Sequence, residues 1–269
     1  MNTYILIDGA LIKPDGTVFP IQDDVYPSWM APIYGRRAYS VTPIVIDVER
    51  AYAAQAISIM MTIANVCDPP LHASFIDSEL TLEELVNHFQ QFTYISTEKN
   101  EQFTLRFADC LVLYALSLHF NSSQWLTFSM PIHRWRVHRR DGTLFCLKIG
   151  AMHTDPAPVP LSLSDEQFQK INEELAVERL IFQLRASRSE TLVGIDFADI
   201  FQWTKSAYEI WKTASLKDER ILLSLALGAL ATQGRILRLT EIVYILAGPS
   251  PDIVIQGINS AVKRNTFEE

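Results

Sequence analysis

The stretch QFTLRFADCLVLYALSLHF, residues 102–120, sets two periodicities side by side. Gln102–Phe107 alternates, the pattern of a strand with one buried side. Asp109–Phe120 is apolar almost without interruption and long enough to read as a buried helix. Arg106 and Asp109 straddle the corner between them. Residue types like these at a strand-to-helix corner predict a structural ion pair or a helix N-cap, since an aspartate there accepts from free backbone N–H groups of the first turn. A strand running into an apolar helix makes the region a sheet with helices packed on it.

The pattern extends outward from this corner. Upstream, Tyr4–Ile7 is a short β-rich run ending in Asp8-Gly9, and Lys13-Pro14-Asp15-Gly16 reads as a turn. Pro20 to Pro32, with Tyr26 and Trp29, is irregular, and Pro43–Val48 is a second strand. Ala51–Val66 reads as a buried helix closed by Asp68-Pro69-Pro70, and Leu71–Ile76 as a strand. Thr81 and Glu84 form a capping box ahead of Leu82, Leu85, Val86 and Phe89, whose spacing predicts an amphipathic helix to about Phe92. Downstream, Trp125–Met130 and the segment around Trp135 read as extended, and Arg139–Leu144 as a hairpin turned at Asp141-Gly142.

His153–Leu163 holds three prolines in eleven residues, the composition of an extended linker. Beyond it every pattern is helical. A Ser164–Gln167 capping box opens a run to about Ser187, and Phe197, Ile200, Phe201, Thr204, Ala207, Tyr208 and Trp211 form one stripe. Leu216–Thr232 stops at Gly234, Thr240–Ala247 ends at Gly248-Pro249, and Ser250 caps a last helix with Pro251 in its first position. The expected fold is α+β: a mixed α/β N-terminal lobe with a small sheet over 1–152, a linker over 153–163, and an all-helical lobe over 164–269.

Composition narrows the function. The 269 residues carry 23 Lys+Arg against 31 Asp+Glu, a formal net charge of −8, with −4 on either side of Gly150. A sequence pI of about 5.3 argues against a nucleic-acid partner, which needs clustered cations. The even split leaves partner recognition to apolar contact more than to electrostatic steering, so strong salt sensitivity of binding is not expected. Cys67, Cys110 and Cys146 are far apart and flanked by apolar residues, hence expected as buried free thiols. No cationic leader precedes the first strand, and the apolar runs are too short for a membrane span, so a cytoplasmic location is expected.

Catalytic patterns are scarce. GxGxxG, Walker A, GxSxG and HExxH strings are absent, so no cofactor is implied. The histidines (His72, His88, His119, His133, His138 and His153) lack metal-ligand spacing, and no metal is implied. Asp8, at the end of a strand, is the best enzymatic candidate, for a hydrolase or phosphatase. Ala10 stands where a phosphatase-type nucleophile needs a second acid, and turn capping beside Gly9 is the simpler role. His133–Arg140 interleaves Arg134, Arg136, Arg139 and Arg140 with Trp135. This is either a patch for an anionic partner or a hairpin strand turned to water and neighbouring acids. Trp203 lies off the helical stripe and is expected as an exposed interface aromatic; with Trp211, Trp135 and Arg136 it makes the set of candidate partner-binding residues.

Several ordered pieces resemble the DUF4123 family. Tyr4–Ala10 is similar to its "lDaA" start, Tyr26–Tyr34 to the region of its "lf" and "Gp" elements, and Ala38–Val48 to its "aPyLv.l" strand. Phe75–Ser78 and Leu82–Phe92 resemble its "sleeLaqHLrrfl" helix, with His88 at the histidine. Phe103–Leu113 is similar to its "vlFRfyDPrvL" signature. Cys110 stands at the family's proline, Ala108 at its tyrosine, and Phe89-Gln90 at its Leu-Arg, so the chain resembles a divergent member over about residues 4–140.

The resemblance implies a non-enzymatic adaptor chaperone that loads a type VI secretion effector, by its N-terminal region, onto a VgrG or PAAR spike component. It marks Asp8, Arg106 and Asp109 as the structural signature. Apolar helices of the effector are expected to dock in a groove at the lobe boundary or on the helical lobe, with Trp203 and Trp211 as anchors. The alternatives are an enzyme using Asp8 and an immunity protein that blocks a toxin.

Overall fold

The computed structural model describes residues 1–11, 25–34, 41–66, 70–140, 142–150, 154–187 and 192–266. The expected turn at Lys13–Gly16, along with Cys67, Asp141 and His153, lies outside them. The chain is an α+β protein that divides into two compact units, Met1–Glu174 and Leu175–Glu269.

The first unit is built on a six-stranded sheet of β1 (Asn2–Ile7), β2 (Met30–Pro32), β3 (Ile44–Asp47), β4 (Ala73–Ser78), β7 (Ile132–His138) and β8 (Leu144–Cys146). Its order is β2-β3-β1-β4-β7-β8, with every pairing antiparallel. The register assigns the faces, because side chains alternate along a strand and align across it. Tyr4, Ile76 and Trp135 share one face, and Ile5, Phe75 and Arg136 the other. The second face, with Ile7, Ile44, Ile46 and Ala73, packs on α1 (Val48–Ala53) and α2 (Ile57–Ala64) through Ala51, Met60 and Ile63.

On the first face α3 (Leu82–Gln90), α4 (Cys110–His119) and α5 (Ser122–Ser129) contribute to an aromatic core. Phe128 lies within 6.3 Å, ring centre to ring centre, of Phe89, Phe92, Phe107, Phe120, Trp125 and Trp135. A small second sheet places β5 (Tyr94–Thr97) between antiparallel β6 (Gln102–Thr104) and parallel β9 (Ser162–Leu163).

Local chemistry explains most element starts. The Thr81–Glu84 capping box is formed, and Leu82, Leu85, Val86 and Phe89 are the buried face of α3. Asp109 caps α4 by accepting from Leu111 and Val112 N–H. The hairpin closes with Arg139 N–H donating to Thr143 O at 2.8 Å, and Gly142 has φ +77°.

Three expectations change. Trp125–Met130 is mostly helix rather than extended: Asn121 and Gln124 form a capping box, and Gln124, Thr127 and Phe128 turn inward at helical spacing. The expected helix at Ala51–Val66 is two short ones, interrupted at Gln55, whose φ is +57°. Among the described side chains there, Ala51, Ala56, Met60 and Ile63 are in the core; Tyr52, Ile57, Ile59 and Met61 are exposed. Cys110 is buried, with its thiol pushed up to about 12 by burial, but Cys146 is exposed.

The division of the chain also falls later than the proline-rich stretch. Leu161 and Leu163 are buried, and Ser162-Leu163 pairs with β5. The Ser164–Gln167 box is present and starts α6 (Asp165–Glu174), which packs on α4 within the first unit. Gln167 Nε2 donates to His119 O at 2.8 Å.

The second unit is helical: α7 (Ala176–Ser187), α8 (Phe197–Thr213), α9 (Glu219–Ala231), a 3₁₀ turn at Arg235–Arg238, α10 (Glu241–Leu246) and α11 (Pro251–Thr266). Leu180, Leu184, Ile200, Ala207, Leu225, Ala229, Ile236 and Ile258 are part of its core.

Candidate functional site

Two places in the described residues carry more than packing. The first is the strand-to-helix corner. Asp8 follows β1, with its N–H donating to His72 O at 2.8 Å. Gly9 lies so close to the Thr42 carbonyl that a Cβ there would overlap it, which reserves the position for glycine. The Asp8 carboxylate is 2% exposed with both oxygens engaged: Oδ1 accepts from Ala10 N–H at 2.9 Å and Oδ2 from Arg106 Nη2 at 2.8 Å.

The same guanidinium nitrogen is 3.5 Å from Asp109 Oδ2, while Asp109 Oδ1 accepts from Leu111 N–H at 2.9 Å and Val112 N–H at 3.4 Å. Both readings of the sequence hold, ion pair and N-cap, and the partner that sequence spacing did not show is Asp8, 98 residues away. One arginine between two carboxylates fastens the end of β1 to the start of α4. Tyr34 covers the corner, its hydroxyl donating to Leu105 O at 3.2 Å; burial, reinforced by Asp8, pushes that hydroxyl up to about 12.

Burial raises Asp109 to about 6, against the opposing pull of Arg106 and the two backbone N–H groups. Between the ordinary carboxylate range near 4 and about 6, the folded chain holds a proton that the unfolded chain has released. Stability is therefore fully present below that window and falls as pH rises through it, by about 2–3 kcal/mol. Asn is as good an N-cap as Asp but does not titrate. Urea melts from pH 4 to 7 are expected to show wild type losing stability relative to Asp109→Asn across this window; a constant difference refutes the shift.

The other residues expected at a partner surface divide. Trp135 is 0% exposed in the aromatic core, its Nε1 donating to Ser74 Oγ at 3.1 Å, because the register turns it to the inner face. It offers no contact surface. Arg136 pairs with Asp77 at 3.1 Å and lies over the Phe75 ring at 5.6 Å. Arg134 is 3.6 Å from the same Asp77, and Arg139 stacks on Phe145 at 4.0 Å. The basic stretch is thus engaged with acids and rings of its own unit. His88 and His138 bond the carbonyls of Phe128 and Ala73, and burial lowers the pKa of His88 and of His72. Among the described residues no three His, Cys, Asp or Glu converge as metal ligands.

The second place is a groove of about 760 Å³ in the helical unit, lined by α8, the 3₁₀ turn and α10. Trp203 lines it with Ile210, Leu237, Val243 and Leu246. Trp203, expected to be exposed, is half-buried because it packs on the helical core and against Gly234, which has φ +76° and no room for a Cβ beside the indole. The glycine therefore both ends α9 and makes space for the ring. Trp211, on the same helix, is not in the lining: its Nε1 donates to Asp218 O at 3.2 Å and its ring packs on Tyr208 at 6.0 Å. Sequence reasoning missed Arg238, Leu237, Val243 and Leu246. The available signal was Val243-Tyr244, two large residues on a short helix, now 68% and 77% exposed.

No helix among the described residues is long and apolar enough to cross a membrane. No curated protein and no solved structure matches the chain. Residues 3–126 match the model of a domain of unknown function, DUF4123. That span includes the whole Asp8–Arg106–Asp109 corner and stops within α5, short of the helical unit. Over residues 3–126, a little under half of its length, the chain is similar to the DUF4123 family.

Proposed function

We propose that the chain is an adaptor chaperone of type VI secretion: it binds a toxic effector in the bacterial cytoplasm and helps load it onto a VgrG or PAAR spike component, without catalysis. The observation that carries this reading is the family match over residues 3–126. Two features support it. Asp8, the enzymatic alternative, is buried with both carboxylate oxygens bonded to the chain itself, the arrangement of a clamp rather than of a nucleophile. The helical unit, outside the matched span, holds an open apolar groove suited to seating a helix of another protein.

The test is deletion of the gene in its native host, with secretion and self-intoxication both measured. Loss of toxin export with survival of the producing cell is expected. Death of the producer by its own toxin would instead make the chain an immunity protein, and unchanged export would remove the adaptor reading.

The placement of capture on the helical unit has its own test. Because β9 and α6 pack within the first unit, the cut belongs after Glu174 rather than in the proline-rich stretch. Residues 1–174 are expected to melt cooperatively yet retain no more than about a tenth of the effector captured by the full chain, the loss of roughly 1.4 kcal/mol or more of binding. Full-strength capture by 1–174 refutes the placement.

A further inference from the structure

The groove of the helical unit has a charge pattern that narrows what it takes. Two charged side chains line it, Glu209 and Arg238. Glu209 faces Lys205 one helical turn away at 3.9 Å. Arg238, at the end of the 3₁₀ turn, is exposed and has no ion-pair or hydrogen-bond partner among the described residues. The neighbouring acid on α10 is taken: Glu241 pairs with Arg264 at 2.8 Å. An exposed arginine alone is ordinary, but this one stands on an apolar groove floored by Trp203, Ile210, Leu237 and Leu246.

The apolar surface also runs on past the groove. Val243 and Tyr244 are 68% and 77% exposed on α10, so the floor opens outward and is not enclosed. Small-ligand sites enclose most of their ligand, whereas a helix laid in a groove keeps one side in water.

We propose that this groove seats one amphipathic helix of a partner protein that carries an acidic side chain beside its apolar anchors, with Arg238 pairing that carboxylate. The proposal rests on the adaptor reading and names the chemistry of the segment captured. Apolar contact supplies the affinity, and the single charge pair selects the helix and fixes its direction, since a partly exposed pair contributes modest energy while a like charge in its place is repelled.

The test uses the full chain and two dye-labelled synthetic peptides of 18 residues, read by fluorescence anisotropy. Both carry leucines at i, i+3, i+4 and i+7 on an alanine-rich helix; one has Glu flanking the leucine face and the other has Lys at that position. The Glu peptide is expected to bind about ten-fold more tightly, a difference of roughly 1.4 kcal/mol. Arg238→Glu is expected to reverse the order, Arg238→Ala to abolish the preference, and Val243→Lys to weaken both. Both positions carry exposed side chains, and coincident melting curves check the fold.

Equal affinities, an order untouched by Arg238→Glu, or no binding of either peptide overturns the proposal. So does binding of dodecanoate with no peptide binding, which would make the groove a site for a small amphiphile. Failure here with export still lost on gene deletion removes only the groove assignment. Intact export on deletion removes the adaptor reading and leaves the peptide result standing by itself.

Discussion

Trp135→Ala is expected to destabilise the first unit by about 3–5 kcal/mol, the cost of emptying a fully buried aromatic site. The indole is 0% exposed, with ring centres of Phe89 and Phe128 at 5.6 and 5.5 Å. Removing it opens a cavity between the sheet and α3 and α5, and leaves the buried Ser74 hydroxyl without its indole donor. The surrounding rings interlock, so collapse into the space is limited. The cavity therefore costs more than the lost transfer energy alone. A fall of roughly ten degrees in the melting temperature of this unit follows for its size. Thermal or urea melts check it, and a shift below about 1 kcal/mol would place the side chain at the surface, where substitutions usually cost little. Trp135→Phe, which keeps much of the volume, is expected to lose less than half as much.

Arg106→Met is the second large effect. It leaves Asp8, 2% exposed, and Asp109 facing each other without the cation that separates them. Breaking a buried pair typically costs about 3–5 kcal/mol; the guanidinium here is 45% exposed, which lets water offset part of the loss, so about 2–3 kcal/mol is expected. The sign of a second substitution separates this cause from lost packing. Asp8→Asn in the Arg106→Met background removes one uncompensated charge and is expected to recover stability, although the same change costs stability in wild type. Additive penalties in this double-mutant cycle would mean that the two side chains do not act on each other. Because the corner ties β1 to α4, the loss should appear in the melting of the first unit and leave the second unit unchanged.

The legible parts of the chain share one property: their determinants lie within a few residues of each other. The Thr81–Glu84 and Ser164–Gln167 boxes, the cap at Asp109 and the buried stripe of α3 all involve partners two to four positions apart. Hydrogen bonds of that range are written in spacing, and they formed as read. Trp125–Met130 depends on more distant partners. Six residues of mixed polarity fit a strand or a helix, and the deciding factors were the Asn121–Gln124 box and the insertion of Phe128 among the rings of Phe89, Phe92, Phe107, Phe120 and Trp135. Ala51–Val66 failed for the opposite reason. Its apolar run reads as one buried helix, but only Ala51, Ala56, Met60 and Ile63 meet the sheet residues Ile5, Ile7, Ile44, Ile46 and Ala73 among the described side chains, and Ile57, Ile59 and Met61 are exposed.

The candidate sites divide the same way. Asp8, Arg106 and Asp109 were each visible as unusual residues at element ends, whereas their convergence was not. Trp203 was visible as an aromatic off the stripe; the groove beside it needed Gly234, Arg238 and α10, which lie 31 to 43 residues further along the chain. What the sequence by itself determined is the class of each half, its helix starts and the likeness of residues 3–126 to DUF4123, because caps and periodicities act over one or two turns of local chain. The tertiary structure alone decided that Trp135 is core, that Arg106 clamps Asp8, and that Arg238 stands on an apolar groove with no ion-pair partner among the described residues. Those outcomes depend on which distant segments the sheet order and helix packing bring into contact, and burial is a property of that assembly, not of any residue in it.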